Sequence, residues 1–131
     1  MTSAADIHHW QTLTLQDPEK MMAWLGAIGF TEHATYRDES DPPVIVHAEW
    51  LWSGGGGIMF GAVRDDSVGS SAPGNAACYL VTEDPDAVFD AAVAAGATVV
   101  HEMVDQDYGG RGGTVRDPEG NLWSFGSYQP K

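Results

Sequence analysis

The spacing of apolar residues changes period several times along the chain, and each change predicts an element. From His9 to Leu15 apolar and polar side chains alternate, which is the pattern of a half-buried strand. From Pro18 to Ile28 the apolar residues Met21, Met22, Trp24, Leu25 and Ile28 collect on one side of a 3.6-residue period, which predicts a helix. Asp17 stands at its N-cap with Pro18 at the first helical position, and Gly29 supplies the stop. Three further strands are expected over Glu32–Asp38, Val44–Trp52 and Ile58–Val63. Asp41-Pro42-Pro43 and the four glycines at 54–57 provide the turns between them. Those glycines follow a strand and open no helix, and no lysine signature accompanies them. They read as a hairpin turn and not as a phosphate cradle.

The second half repeats the first. A short strand over Ala77–Thr82 precedes Asp84 and Pro85, and a helix is expected over Pro85–Ala95 with Val88, Phe89, Ala92 and Val93 on its apolar side. Gly96 ends it. Strands follow over Thr98–Val104, Gly112–Arg116 and Leu122–Tyr128, the last two joined by Asp117-Pro118-Glu119-Gly120-Asn121. Gln16-Asp17-Pro18-Glu19 recurs as Glu83-Asp84-Pro85-Asp86 at an offset of 67, and Ile58-Met59-Phe60-Gly61 recurs as Trp123-Ser124-Phe125-Gly126 at an offset of 65. The fold class is therefore α+β, a single domain built of two βαβββ units over about residues 7–63 and 76–128, with a Ser-, Gly- and Asp-rich connector over about 64–75. Gly29 should coincide with Gly96, and Gly61 with Gly126, when the units are superposed.

Charge narrows the function classes. Of 131 residues, 6 are Lys or Arg and 19 are Asp or Glu, a net charge of −13. Such a surface repels nucleic-acid phosphates and anionic membranes. No run of 18 apolar residues is present, so no membrane-spanning helix is expected. Residues 1–6 show neither a basic nor an apolar segment of the secretory kind, and Cys78 is the only cysteine. Both features suit a reducing cytoplasm. The acidity reads either as a solubility feature or as a field that draws in cationic ligands.

Few residues carry candidate chemistry. His47 and Glu49, at i and i+2 of one strand, share a face. They can act as a general acid–base pair, as two metal ligands short of the usual three, or as a structural pair. Trp50 and Trp52 share one face of the same strand, and the pattern leaves open which face looks inward. His33 and His101 lack partners at metal spacing, and Cys78 alternates toward the helix side as an apolar residue. Trp24, Trp123 and Phe125 read as core between helix and sheet. The loop Asp105–Arg111 carries Tyr108 and Arg111, which are candidates for ligand contact or plain surface residues.

Paired βαβββ units with Asp117-Pro118-Glu119-Gly120-Asn121 before the last strand resemble the vicinal-oxygen-chelate superfamily, of which glyoxalases, extradiol dioxygenases and bleomycin-resistance proteins are members. Tyr36-Arg37-Asp38, Val46–Glu49, Gly57–Gly61, Asp107–Gly110 and the run to Tyr128 carry the likeness. The resemblance implies that each unit curls into a half-barrel, that the halves enclose one concave site, and that the protein is a homodimer. Metal-dependent members place ligands on the first and last strand of each unit. In this chain those positions fall on Trp10, Met59, Ala77 and Ser124, none a competent ligand for a hard or borderline metal. A one-residue slip that turned His9 inward would send Leu13 and Leu15 out of the core. No cofactor or metal is therefore expected. On this mapping Trp10, Thr12 and Thr14 lie on the concave face with Tyr79 and Val81, and Met59 and Ser124 line the end of the cavity.

Three readings follow. The first is a metal-independent binding protein for an aromatic or cationic small molecule such as an antibiotic, held without chemical change, with cationic ligands favoured over anionic ones. The second is a lyase or isomerase using His47 and Glu49 or a displaced metal site. The third is an accessory dimer with a vestigial pocket.

Overall fold

The computed structural model describes residues 3–65 and 72–131; the middle of the expected connector, residues 66–71, lies outside the described residues. In the first unit the order is β1 (Trp10–Leu15), α1 (Pro18–Ile28), β2 (Phe30–Arg37), β3 (Ile45–Trp52) and β4 (Gly57–Ala62). The second contains β5 (Ala77–Val81), α2 (Pro85–Ala94), β6 (Thr98–Asp105), β7 (Arg111–Arg116) and β8 (Leu122–Gly126). Each expected element is present, with ends displaced by one or two residues.

The two helices start alike. The Asp17 carboxylate accepts the Lys20 backbone N–H at 3.1 Å, and Asp84 accepts that of Ala87 at 3.2 Å. Each cap satisfies an amide that the first helical turn leaves unpaired. Gly29 and Gly96 leave the helices at φ 118° and 119°, a region closed to residues with a Cβ.

Each unit forms its own four-stranded sheet, in the orders β1-β4-β3-β2 and β5-β8-β7-β6. β1 runs parallel to β4, and β5 to β8. Thr14 pairs with Gly61 as Val81 pairs with Gly126, and Thr12 pairs with Met59 as Tyr79 pairs with Ser124. The 67- and 65-residue offsets of the sequence are therefore offsets in space.

Alternation assigns the faces. Leu13, Leu15, Ala48, Trp50, Ile58 and Phe60 turn inward from the first sheet, and Leu80, Val115, Trp123 and Phe125 from the second, all into a single cluster that includes both helices. The Trp24 ring on α1 lies 5.5 Å from that of Trp123 on β8, and Phe30 lies 5.9 Å from it on another side. Burying rings of this size contributes several kcal/mol each at roughly 25 cal/mol per Å².

Polar clamps seal the same boundary. The Glu119 carboxylate accepts the backbone N–H groups of Gln16 and Asp17 at 2.5 and 2.7 Å. In the reverse sense, the Trp52 indole donates to the Val81 carbonyl at 3.2 Å. Glu119 is held in turn by Asp117, a buried carboxylate that accepts from the N–H groups of Glu119 and Asn121, the Asn121 amide and the Trp123 indole. The specific-looking Asp-Pro-Glu-Gly-Asn turn is thus a structural hub.

A shared core has a geometric consequence. The halves meet through their inner faces, so the opposite faces of the two sheets lie on the outside of that core. Within the single chain each sheet keeps an open outer face, and a hollow of about 250 Å³ between the halves is lined by Phe30, Trp52 and Gly57 from the first and by Ala77, Tyr79 and Leu80 from the second.

Candidate functional site

On the outer face of the first sheet, β-register sets the neighbours. Thr12 lies beside Met59, which lies beside Glu49, and Tyr36 lies opposite His47. A hollow of about 400 Å³ is lined there by Thr12, Thr14, His47, Met59 and Arg64. That volume falls in the range of small-molecule sites. His47 Nε2 and Glu49 Oε2 are 2.8 Å apart, with the side chains 42% and 27% exposed. The Tyr36 ring stacks on the imidazole at 6.1 Å between centroids, tilted by 23°. Trp10 lies across its partner strand: a Cβ placed on Gly57 would meet the indole at 2.2 Å. Its N–H donates to the Ile7 carbonyl at 3.2 Å, which pins the ring.

The outer face of the second sheet is of a different kind. Two adjoining hollows of about 460 and 330 Å³ share Tyr79, His101, Thr114 and Ser124. Thr114 Oγ1 and Ser124 Oγ are 2.8 Å apart across β7 and β8. The Tyr79 hydroxyl donates to the Tyr128 carbonyl at 2.9 Å, and the Tyr108 ring meets that of Tyr128 edge-on at 5.1 Å. Burial, followed by the neighbouring Tyr108, raises the Tyr79 pKa above the ordinary phenol value and keeps it a neutral donor.

Several sequence-derived candidates move. The face that Trp50 and Trp52 share points toward the core, each residue being 8% exposed, while His47 and Glu49 point out; Trp52 also lines the hollow between the halves. Arg111 is bound by two carboxylates. Its Nε donates to Asp86 at 2.8 Å, its Nη2 donates to the same carboxylate at 3.2 Å, and its Nη1 donates to Asp105 at 3.3 Å. These bonds turn it toward α2, raise its pKa, and keep it out of both second-face hollows. Cys78 packs against the core, where burial pushes its thiol up to about 11.

The four positions to which the resemblance maps metal ligands do not converge within one chain. Met59 lines the first-face hollow, whereas Ala77 and Ser124 line the second. Their chemistry is also wrong for the ion: an indole, a thioether, a methyl group and a hydroxyl already bonded to Thr114. Among the described residues, no three His, Cys, Asp or Glu side chains gather into an alternative site. The donor set does not fit a hard or borderline divalent metal.

The model of the Glyoxalase/Bleomycin resistance protein/Dioxygenase superfamily matches residues 6–125. The chain belongs to this superfamily. Among solved members, TioX from Micromonospora sp. is 27% identical and superposes with a TM-score of 0.66, covering 93% of this chain and 100% of that one. A glyoxalase family protein from Bacillus cereus gives 16% identity and a TM-score of 0.69, with 92% of each chain covered. The bleomycin resistance determinant encoded on transposon Tn5 gives 17% and 0.65, with 94% and 98% covered. An uncharacterized protein of Mycobacterium tuberculosis is 50% identical over 48 residues, which is 37% of this chain and 28% of that relative. The matched stretch thus spans under a third of that curated relative's length.

In this superfamily member the two outer faces also carry residues that the sequence pattern did not single out. Tyr36 joins His47 only through cross-strand register, which local pattern does not reveal. Arg64 was assigned to the connector yet lines the first hollow. His101 had no partner in sequence, but β-bulges on either side of its pairing with Thr114 bring it into the second-face hollows.

Proposed function

We propose that this chain is a metal-independent small-molecule-binding protein of the glyoxalase/bleomycin-resistance type, holding an aromatic or cationic compound without transforming it. The observation that carries the reading is the content of the four metal positions: Trp10, Met59, Ala77 and Ser124 offer contact surface and no ligand field. Exposed tyrosines and two open hollows support it. The name of the transposon-encoded neighbour suggests an antibiotic as one ligand class to test. As part of the same proposal, the protein works as a homodimer in the cytoplasm. Two copies would set the first face of one chain against the second face of the other and convert open hollows into enclosed sites.

The experiment combines elemental analysis, sedimentation and titration with aromatic compounds read by tryptophan fluorescence. Binding by a metal-free dimer, with the compound recovered intact, is the expected result. Stoichiometric transition metal in the purified protein would overturn it.

A second reading has its own observation. The 2.8 Å contact between His47 and Glu49 on an open face is the geometry of an oriented base. Turnover of an α-hydroxy carbonyl or epimerisable substrate that disappears in His47→Gln would favour an enzyme.

A further inference from the structure

The hollow between the halves differs from those on the outer faces. Its floor is Phe30, Trp52, Ile58 and Leu80, all members of the core. His9 and Gln11 stand at its rim, and they alternate with Trp10 and Thr12, which face outward. It therefore lies on the core side of the sheets, and it shares only the β5 wall with the second-face hollows. Gly55 and Gly56 form its lip at φ 100° and 126°. A Cβ built on Gly56 meets no atom within 4 Å, so the missing side chain leaves the mouth open.

We infer that this hollow is a second binding site, for a small uncharged bicyclic aromatic molecule that carries one N–H donor. No Asp, Glu, Lys or Arg lines it, although the chain has 19 acidic residues. A charged ligand would lose hydration there and meet no counter-charge. Size sets the scale of the occupant. A dry cavity of about 150 Å³ takes up benzene, so about 250 Å³ has room for a second fused ring. The walls select for aromatic shape. The Trp52 and Phe30 rings lie 5.2 Å apart at 49°, an arrangement that a third flat ring extends by offset or edge contact. The Trp52 N–H is already donated to the Val81 carbonyl, so its ring offers the ligand apolar surface alone. Gln11 supplies the polar contact. Its Nε2 donates to the Thr12 carbonyl at 3.3 Å, which leaves Oε1 as a free acceptor at the mouth. The inference stands apart from the binding reading above, which concerns the outer faces.

The test is a titration of isotope-labelled protein with indole, followed by proton–nitrogen NMR. Saturable shifts of the Trp52 indole N–H and the Gly56 amide, with a Kd below about 1 mM, are expected. The Trp10 indole N–H and the Thr114 amide, on the outer faces, should stay in place. Benzofuran has the same shape with an oxygen in place of the N–H, and should bind about fivefold more weakly. In Gln11→Ala, a change at a half-buried strand position, the two should bind equally with an unchanged thermal melt. Shifts confined to Trp10 or Thr114 overturn the second site and leave the outer-face reading standing. Absence of indole binding, or benzofuran binding as tightly as indole to the unaltered protein, also overturns it. So does a preference for indole that survives in Gln11→Ala.

Discussion

The indole N–H of Trp24 donates to the main-chain carbonyl of Ala92 at 3.1 Å, joining the helix of one half to the helix of the other. In Trp24→Phe this bond is lost and a void opens against Trp123. The expected cost is about 2–3 kcal/mol. A lower urea midpoint with an unchanged slope would register it, since the exposed area on unfolding stays the same.

Asp117 is a stricter case. Both its oxygens accept from two donors each, and the side chain is buried. Asp117→Asn replaces one oxygen with a donor facing donors. The expected loss is about 3 kcal/mol or more, against less than about 1 kcal/mol for Glu39→Gln on the surface. Thermal melts of the two variants side by side check the difference.

Four of the five tryptophans are buried, and Trp10 alone stands on an outer face. Trp10→Phe should abolish most ligand-dependent change in tryptophan emission while leaving the far-ultraviolet spectrum intact. Gly57→Ala should act similarly by a different route, because its new methyl group occupies the place of the Trp10 ring. Quenching that survives in both variants would locate the ligand elsewhere.

The Cys78 thiol is held protonated by burial, up to about pH 11. A group whose folded pKa lies above its unfolded value favours the folded state below the unfolded pKa. That contribution is lost as pH rises through the folded one. Stability should therefore decline from about pH 9 toward about pH 11, by up to roughly 3 kcal/mol from this group. Cys78→Ala should flatten that part of the profile. At neutral pH, alkylation of the native protein should be far slower than that of the urea-unfolded chain.

The fold was legible because its signals are local and doubled. Asp17 and Asp84 cap by the same bond, and Gly29 and Gly96 share one backbone geometry, so each half corroborates the other. The site was less legible because it depends on relations between strands. Alternation put Trp50 and Trp52 together, but which side they faced was decided by packing against Phe60 and Phe30. Arg111 looked available in a loop until Asp86, 25 positions earlier, was found beside it. Glu119 read as a turn residue, and its role as a clamp appears only when the first half is docked.

The back-to-back arrangement of the halves also divides each strand into two kinds of position. One parity supplies the core and answers to stability; the other parity faces away and answers to whatever docks there. Trp10, Met59, Ala77 and Ser124 all belong to the second kind. Substitution at such sites alters chemistry while leaving the scaffold's packing intact, so selection can rewrite the ligand without renegotiating the architecture. A donor set can be exchanged for aromatic and hydroxyl groups one residue at a time, with each intermediate still folded.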